Sequence, residues 1–232
     1  MEAVILAGGY GTRLKNVLPD IPKPMAPAGD KPFLGHLLKW ISDYPVDKVV
    51  LSTGYRSEVI KDYFGNKFGR IELAYAAEEI PLGTGGGMMN AMNLLTSQDF
   101  FLINGDTYFP VDLTKLMLFH TERCGFITVA LKRMKLFSRY GAVECNGDMI
   151  VKFREKRPCL KGLINGGVYV VNRKLLMISK YPESFSFERD ILEKKAGTGD
   201  LRGICFDNPF LDIGVPGDLR KAAGFLAKTG NS

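Results

Sequence analysis

Arg13 sits at the end of a glycine-rich turn, Gly8-Gly9-Tyr10-Gly11-Thr12-Arg13, that follows directly on the apolar run Ala3-Val4-Ile5-Leu6-Ala7, and Lys23 is held between Pro22 and Pro24. Glycines after a buried strand let the backbone turn tightly and approach a ligand without Cβ clashes. Arginine offers phosphate oxygens a fork, and lysine a point charge. The chemistry this arrangement suits is the cradling of phosphate. Two common phosphate motifs do not fit. Counted from Gly9 and Gly11, the third glycine of a dinucleotide fingerprint falls on Leu14, and the chain has no G-K-[ST].

Carboxylates follow further along. Phe101-Leu102-Ile103-Asn104-Gly105-Asp106 is an apolar strand ending in Gly-Asp, and Asp212 closes a second apolar run before Ile213-Gly214-Val215-Pro216. Two carboxylates from distant positions can hold Mg²⁺, which takes few protein ligands and fills its shell with phosphate oxygens and water. Either aspartate alone would read as a turn or cap residue. Glu78-Glu79-Ile80-Pro81-Leu82-Gly83-Thr84-Gly85-Gly86-Gly87 leads into an apolar helix near Met88. Its glycine amides could meet a base edge or a phosphate, with Pro81 fixing the approach. In the second half, Asn165 has both donor and acceptor capacity for a sugar hydroxyl, and Lys156 supplies a cation for a phosphate.

These groups need elements to place them. The patterning predicts strands near 2–6, 48–52, 71–75, 100–103, 126–132, 142–144, 150–153 and 167–171, and helices near 33–42, 57–64, 87–95, 113–122, 187–194 and 216–227. Alternation in the first half argues for an α/β fold whose mixed, mostly parallel sheet carries helices on both faces. Closely spaced strands in the second half suggest hairpins added to one side. Ligands of such sheets sit beyond the carboxyl ends of the strands, where the first loop lies. We read residues 1–232 as a single domain, with the glycine-rich motifs and Asp106 in 1–125 and Lys156, Asn165 and Asp212 in 126–232.

Composition removes several classes. The 46% hydrophobic and 24% charged content is ordinary for a globular chain. The net charge of +6 is interspersed and forms no basic stripe, so nucleic acid is not expected, whereas small polyanions are. No apolar run approaches membrane-spanning length, and a cytoplasmic protein is expected. Cys124, Cys145, Cys159 and Cys205 form no C-x-x-C pair, and His36 and His120 stand in no acidic motif, so a zinc site or histidine triad is not expected. A homodimer is compatible with the chain but not specified by it.

Leu6-Ala7-Gly8-Gly9-x-Gly11-Thr12-Arg13-Leu14 followed by Pro22-Lys23-Pro24 resembles the signature of the sugar-phosphate nucleotidyltransferases, which make nucleotide sugars from a nucleoside triphosphate and a sugar 1-phosphate. The resemblance implies a Rossmann-like core, with residues 1–125 mainly nucleotide-binding and 126–232 mainly sugar-phosphate-binding. Glu78 to Gly86 is similar to the E-x-x-P-L-G-T-[AG]-G element of members that use GTP, and a carboxylate suits guanine's neighbouring donors. Glu78 and Glu79 both remain candidates for that contact. The implied nucleotide-binding set is Leu6, Ala7, Gly8, Gly9, Gly11, Thr12, Arg13, Glu78, Pro81, Gly83, Thr84 and Asp106. Gly141, Glu155 and Asn165 are implied for the sugar and Lys156 for its phosphate. Asp106 and Asp212 resemble the paired metal aspartates of the G-D and L-D-x-G-x-P elements, implying Mg²⁺ as cofactor. Arg13, Lys23 and Asp106 are the implied catalytic groups. A catalytically silent nucleotide-binding regulator would be expected to lack a metal carboxylate or the loop arginine, and this chain has both.

Overall fold

The computed structural model describes residues 1–9, 21–123, 125–177 and 180–229. The strands are β1 (Glu2–Leu6), β2 (Lys48–Thr53), β3 (Lys67–Phe68), β4 (Ile71–Ala77), β5 (Asp99–Asn104), β6 (Thr107–Tyr108), β7 (Ile127–Phe137), β8 (Gly141–Asn146), β9 (Met149–Lys156), β10 (Cys159–Asn172), β11 (Leu201–Phe206) and β12 (Leu211–Asp212). The helices are α1 (Phe33–Ser42), α2 (Ser57–Phe64), α3 (Gly83–Met92), α4 (Leu113–Arg123), α5 (Arg173–Met177), α6 (Glu193–Lys195) and α7 (Pro216–Thr229). A 3₁₀ turn covers Lys23–Met25, and a π-helical segment, Phe187–Leu192, runs into α6.

Ten strands form one sheet in the order β3-β4-β2-β1-β5-β10-β7-β11-β9-β8. The half of the sheet built from β4-β2-β1-β5 is parallel, and β10 joins it antiparallel to β5. Strand β8 also pairs with β10, which closes β10, β7, β11, β9 and β8 into a ring. Strand β1 lies between β2 and β5, so the chain reverses its direction of travel across the sheet there. That switch point is where a parallel sheet opens a crevice for ligands.

Side chains along β1 alternate faces, as the period of two requires. Ala3 and Ile5 join a core with α1, α2, α4 and α7, while Val4 enters a second core on the opposite face with α3, α5 and the π-helical segment. Helices therefore cover both faces, as the α/β reading expected. Among the described residues no helix is long and apolar enough to cross a membrane.

Helices α1 and α2 match their predicted bounds. The short β3, β6, β12 and α5 were not predicted and β7 runs on to Phe137, and in three further elements tertiary packing overrides the local signal. Strand β10 begins at Cys159 instead of Gly167: Gly162, Gly166 and Gly167 masked it, but they sit where a Cβ would press on Phe137, Phe109 and Asn104 respectively. Strand β11, unpredicted, contains Arg202 and Gly203, and a Cβ at Gly203 would lie 2.5 Å from Leu131 Cδ1 on its parallel partner β7. Helix α3 starts at Gly83, four residues before the expected Gly87. Its glycines serve close packing: a Cβ at Gly83 would lie 2.5 Å from Phe185 O, and one at Gly85 would enter the Phe185 ring. The Gly85 amide donates to Phe185 O at 2.9 Å, satisfying one of the orphan donors of the helix start.

Candidate active site

Two adjoining cavities open at the carboxyl ends of β1, β2 and β5. The first, about 400 Å³, is lined by Leu6, Ala7, Gly8, Gly9, Lys23, Glu78, Pro81, Gly83, Thr84 and Asp106, with Pro24, Ser52, Asn104, Gly105 and Glu188. The second, about 970 Å³, is lined by Asp106, Gly141, Glu155, Lys156, Asn165 and Asp212, with Asn104, Arg139, Tyr140 and Glu188 among others. Every site residue expected from sequence that lies among the described residues borders one or both. Gly11, Thr12 and Arg13 lie outside the described residues.

Close backbone approach builds the junction. The Gly105 amide donates to Leu6 O at 3.0 Å, and a Cβ on Gly105 would stand 2.5 Å from that oxygen. Glycine at 105 thus lets β5 leave the sheet against the end of β1, which delivers Asp106 to the shared wall. Pro22 and Pro24 rigidify the 3₁₀ turn, and Lys23, 13% exposed, holds its Nζ 2.5 Å from Asp106 Oδ2. Strands β6 and β12 place Thr107 opposite Asp212, and the Ile213 amide donates to Asp106 O at 3.0 Å. The two aspartates, 106 positions apart in sequence, therefore border the same second cavity.

Asp212 is held by its own turn and by aromatic neighbours. Its Oδ1 accepts from the Gly214 amide at 2.6 Å and its Oδ2 from the Tyr140 hydroxyl at 3.3 Å. Burial, and then the Asp212 charge, push the Tyr140 phenol up to about 12, so it stays protonated and donating. Arg139 donates to the Tyr140 hydroxyl at 3.0 Å and pairs with Asp218 of α7 at 2.6 Å.

Glu78 and Glu79 part company. Glu78 borders the first cavity, while Glu79 is exposed and lies outside its lining. The Glu78 carboxylate accepts from Ser52 Oγ at 2.9 Å and from the Leu82 amide at 3.1 Å. A Cβ at Gly87 would fall 2.5 Å from Glu78 Oε1, so glycine there leaves the carboxylate its place. In the second cavity, Asn165 sits at a register shift between β10 and β7. Its Oδ1 accepts from the Gly167 amide at 2.9 Å, and its Nδ2 donates to the Tyr169 hydroxyl at 2.8 Å, fixing the amide's orientation.

This shift depends on Gly166, whose Cβ would overlap the buried Phe109 ring and stand 2.7 Å from Ala130 O. Overpacking of this kind costs about 1–3 kcal/mol. Gly166→Ala should therefore lower the melting temperature by roughly 2–12 °C, at about 2–4 °C per kcal/mol for a chain of this size. Gly217→Ala, on α7 with no atom within 4 Å of the added Cβ, is the control. Calorimetry showing equal melting temperatures would remove the packing argument.

Sequence reasoning did not single out Ser52, Asn104, Arg139 or Glu188 as site residues. Ser52 and Asn104 carried a signal, since each stands near the end of an apolar strand beside β1. Glu188 carried none, because its link to the site is a 2.7 Å hydrogen bond from Thr84 across 104 positions. Among the described lining residues, Glu78, Asp106, Glu155, Glu188, Glu193 and Asp212 outnumber Lys23, Arg139, Arg154 and Lys156. That balance favours hydroxyl donors and a cation alongside phosphate. Two carboxylates at one wall, one of them already beside an ammonium group, are a donor set that fits a hard dication.

The family model described as Nucleotidyl transferase matches residues 2–229. The D-glycero-alpha-D-manno-heptose 1-phosphate guanylyltransferase of Aneurinibacillus thermoaerophilus is 44% identical over 222 residues, 96% of each chain. The mannose-1-phosphate guanylyltransferase of Mycobacterium tuberculosis is 32% identical over 98% of this chain and 65% of its own. Among solved structures, HddC from Yersinia pseudotuberculosis complexed with GMP-PN superposes with a TM-score of 0.84 at 35% identity, covering 96% of this chain and 98% of that one.

Proposed function

The chain belongs to the nucleotidyl transferase family, and on that premise we propose that it transfers GMP from GTP to D-glycero-α-D-manno-heptose 1-phosphate, giving GDP-heptose and pyrophosphate. The observation that carries this reading is Asp106, which borders both cavities beside Lys23 and shares the second with Asp212. Two phosphate-bearing substrates, one in each cavity, would meet there.

GTP occupies the first cavity. Its base lies toward Glu78, whose fixed carboxylate accepts from guanine N1–H and the 2-amino group. The sugar 1-phosphate occupies the second, with its hydroxyls toward Gly141, Glu155 and Asn165 and its phosphate toward Lys156. A phosphate monoester, with its second pKa near 6, is largely dianionic at neutral pH. Its oxygen attacks the α-phosphorus, the bond to the β-phosphate oxygen breaks, and pyrophosphate leaves with the bonding pair. No general base is required. Asp106 and Asp212 would hold Mg²⁺, which when bound supplies charge neutralisation at the phosphates. Lys23 aligns the nucleotide phosphates and Arg13, outside the described residues, takes the leaving pyrophosphate. The product is an activated sugar of the kind consumed in bacterial surface polysaccharide synthesis, and the enzyme is assigned to the cytoplasm.

Mannose 1-phosphate is the rival acceptor. The higher identity and near-complete mutual coverage of the heptose relative favour heptose. Pyrophosphate release measured across GTP, ATP, UTP and dTTP, each with heptose, mannose and glucose 1-phosphates, decides between them. The highest kcat/KM is expected for GTP with the heptose. A higher value with mannose 1-phosphate would transfer the assignment, and no release with any pair would leave a silent nucleotide binder.

A further inference from the structure

Arg139, Tyr140 and Asp212 border the second cavity together. Asp212 has a role in the reaction proposed above; the other two do not. Both oxygens of the Asp212 carboxylate carry a donor. Oδ1 accepts from the Gly214 amide at 2.6 Å, and a Cβ on Gly214 would stand 2.7 Å from that oxygen, so glycine there leaves the carboxylate its place. Oδ2 accepts from the Tyr140 hydroxyl at 3.3 Å, with the Arg139 guanidinium 3.8 Å away. An ionised carboxylate offers about four lone-pair sites, so each oxygen keeps capacity for a cation while its orientation is held.

The group that donates to Oδ2 is itself held. Arg139 donates to the Tyr140 hydroxyl oxygen at 3.0 Å, which leaves the single phenolic proton for Asp212. The other arm of the same guanidinium pairs with Asp218 of α7 at 2.6 Å. The Tyr140 ring meets Phe210 edge-on at 5.7 Å, and Phe210 meets the buried Phe109 edge-on at 5.6 Å, so a row of rings running into the core places the hydroxyl. Three separate segments thus converge on one carboxylate: the turn between β7 and β8, the chain entering β12, and α7. Arg139 is 44% exposed, and ion pairs so open to water add little to folding, which leaves the orientation of Asp212 as what the arrangement serves.

We propose that Tyr140 and Arg139, the latter anchored on Asp218, are positioning residues for Asp212: they hold its carboxylate in the orientation that takes a divalent cation, and so tie the seat of α7 to the metal site. This rests on the reading of Asp106 and Asp212 as the metal pair. Arg139 acts through the Tyr140 hydroxyl and not through its own field, because a positive charge 3.8 Å from Oδ2 by itself opposes a dication. Asp218 offsets that charge from the far side of the guanidinium, which lets Arg139 stay beside the carboxylate.

The test measures Mn²⁺ binding, from the free-ion electron paramagnetic resonance signal, by the wild type, Tyr140→Phe, Arg139→Ala, Arg139→Lys, the double variant Tyr140→Phe/Arg139→Ala and Asp212→Asn, each with a non-hydrolysable GTP analogue. Losing a hydrogen-bond partner of a ligating carboxylate is expected to weaken binding by about 10-fold or more in Tyr140→Phe. Arg139→Ala should weaken it by about 3- to 10-fold, and Arg139→Lys should recover part of that loss. The double variant should bind no more weakly than Tyr140→Phe alone, because the two residues act in series. Unchanged affinity in Tyr140→Phe overturns the proposal. So does tighter binding by Arg139→Ala, which would mean that the arginine acts only by its charge, and so do fully additive losses in the double variant. Thermal melts identify a variant that has not folded; should an Arg139 variant be one, Tyr140→Phe, which removes a single oxygen, decides. Wild-type protein that takes up no more Mn²⁺ than the analogue alone, or Asp212→Asn that binds it as the wild type does, is the separate result that removes the metal reading itself.

Discussion

Asp106→Asn should lower kcat by about 10²–10³-fold while the protein stays folded, because electrostatic groups aimed at developing charge are worth that much when removed singly. The substitution keeps the shape of the side chain and its capacity to accept from Lys23 Nζ, now 2.5 Å away, and the Ile213 amide bonds the Asp106 backbone oxygen, which does not change. What is lost is the negative charge at the wall common to both cavities. Steady-state pyrophosphate release with titrated Mg²⁺ provides the measurement: kcat falls, more Mg²⁺ is needed for half-maximal rate, and the melting temperature changes by no more than a few degrees. A variant within tenfold of wild type would mean that the reacting phosphates meet elsewhere.

The second large effect concerns the base. Glu78→Gln replaces one acceptor oxygen by an NH₂ group, which would oppose guanine's own donors. A bidentate contact to a base edge discriminates by about 1–3 kcal/mol, or roughly 5- to 150-fold. The expected result is a fall of that size in kcat/KM for GTP, with ATP little affected, so that the GTP to ATP preference narrows. Inosine triphosphate, which lacks the 2-amino group, should be penalised by the wild type and less by the variant. Glu79→Gln is the control, since Glu79 is exposed and outside the cavity lining. A variant with the wild-type GTP to ATP ratio would reduce Glu78 to a clamp that takes the Ser52 hydroxyl and the Leu82 amide.

The legible part of the site was the part written in contiguous residues. Gly8 and Gly9 after β1, Lys23 between prolines, Asp106 after an apolar strand and Asp212 before Ile213-Gly214 announce themselves through short-range rules: glycine for close approach, proline for a fixed turn, an acid at a strand end. Helices α1 and α2 were equally plain, each carrying a clear apolar stripe. The glycines of α3 and β10 misled, because glycine has poor helix and strand propensity and its use for close packing is visible only once the partner is known. Phe185 against Gly83 and Gly85, and Phe109 against Gly166, are such partners.

By itself, the sequence determined the α/β class and the family resemblance, and it marked the glycine-rich loop after β1 and the two strand-end aspartates, since each depends on residue type and local spacing. Only the tertiary structure decided that Glu78 and not Glu79 faces the cavity, that Asp106 stands at the meeting of two chambers, and that Glu188 joins them through Thr84. The physical reason is range. Backbone sterics and hydrophobic period act over a few residues and can be read along the chain, whereas which side chains share a wall is fixed by strand order and by contacts spanning a hundred positions.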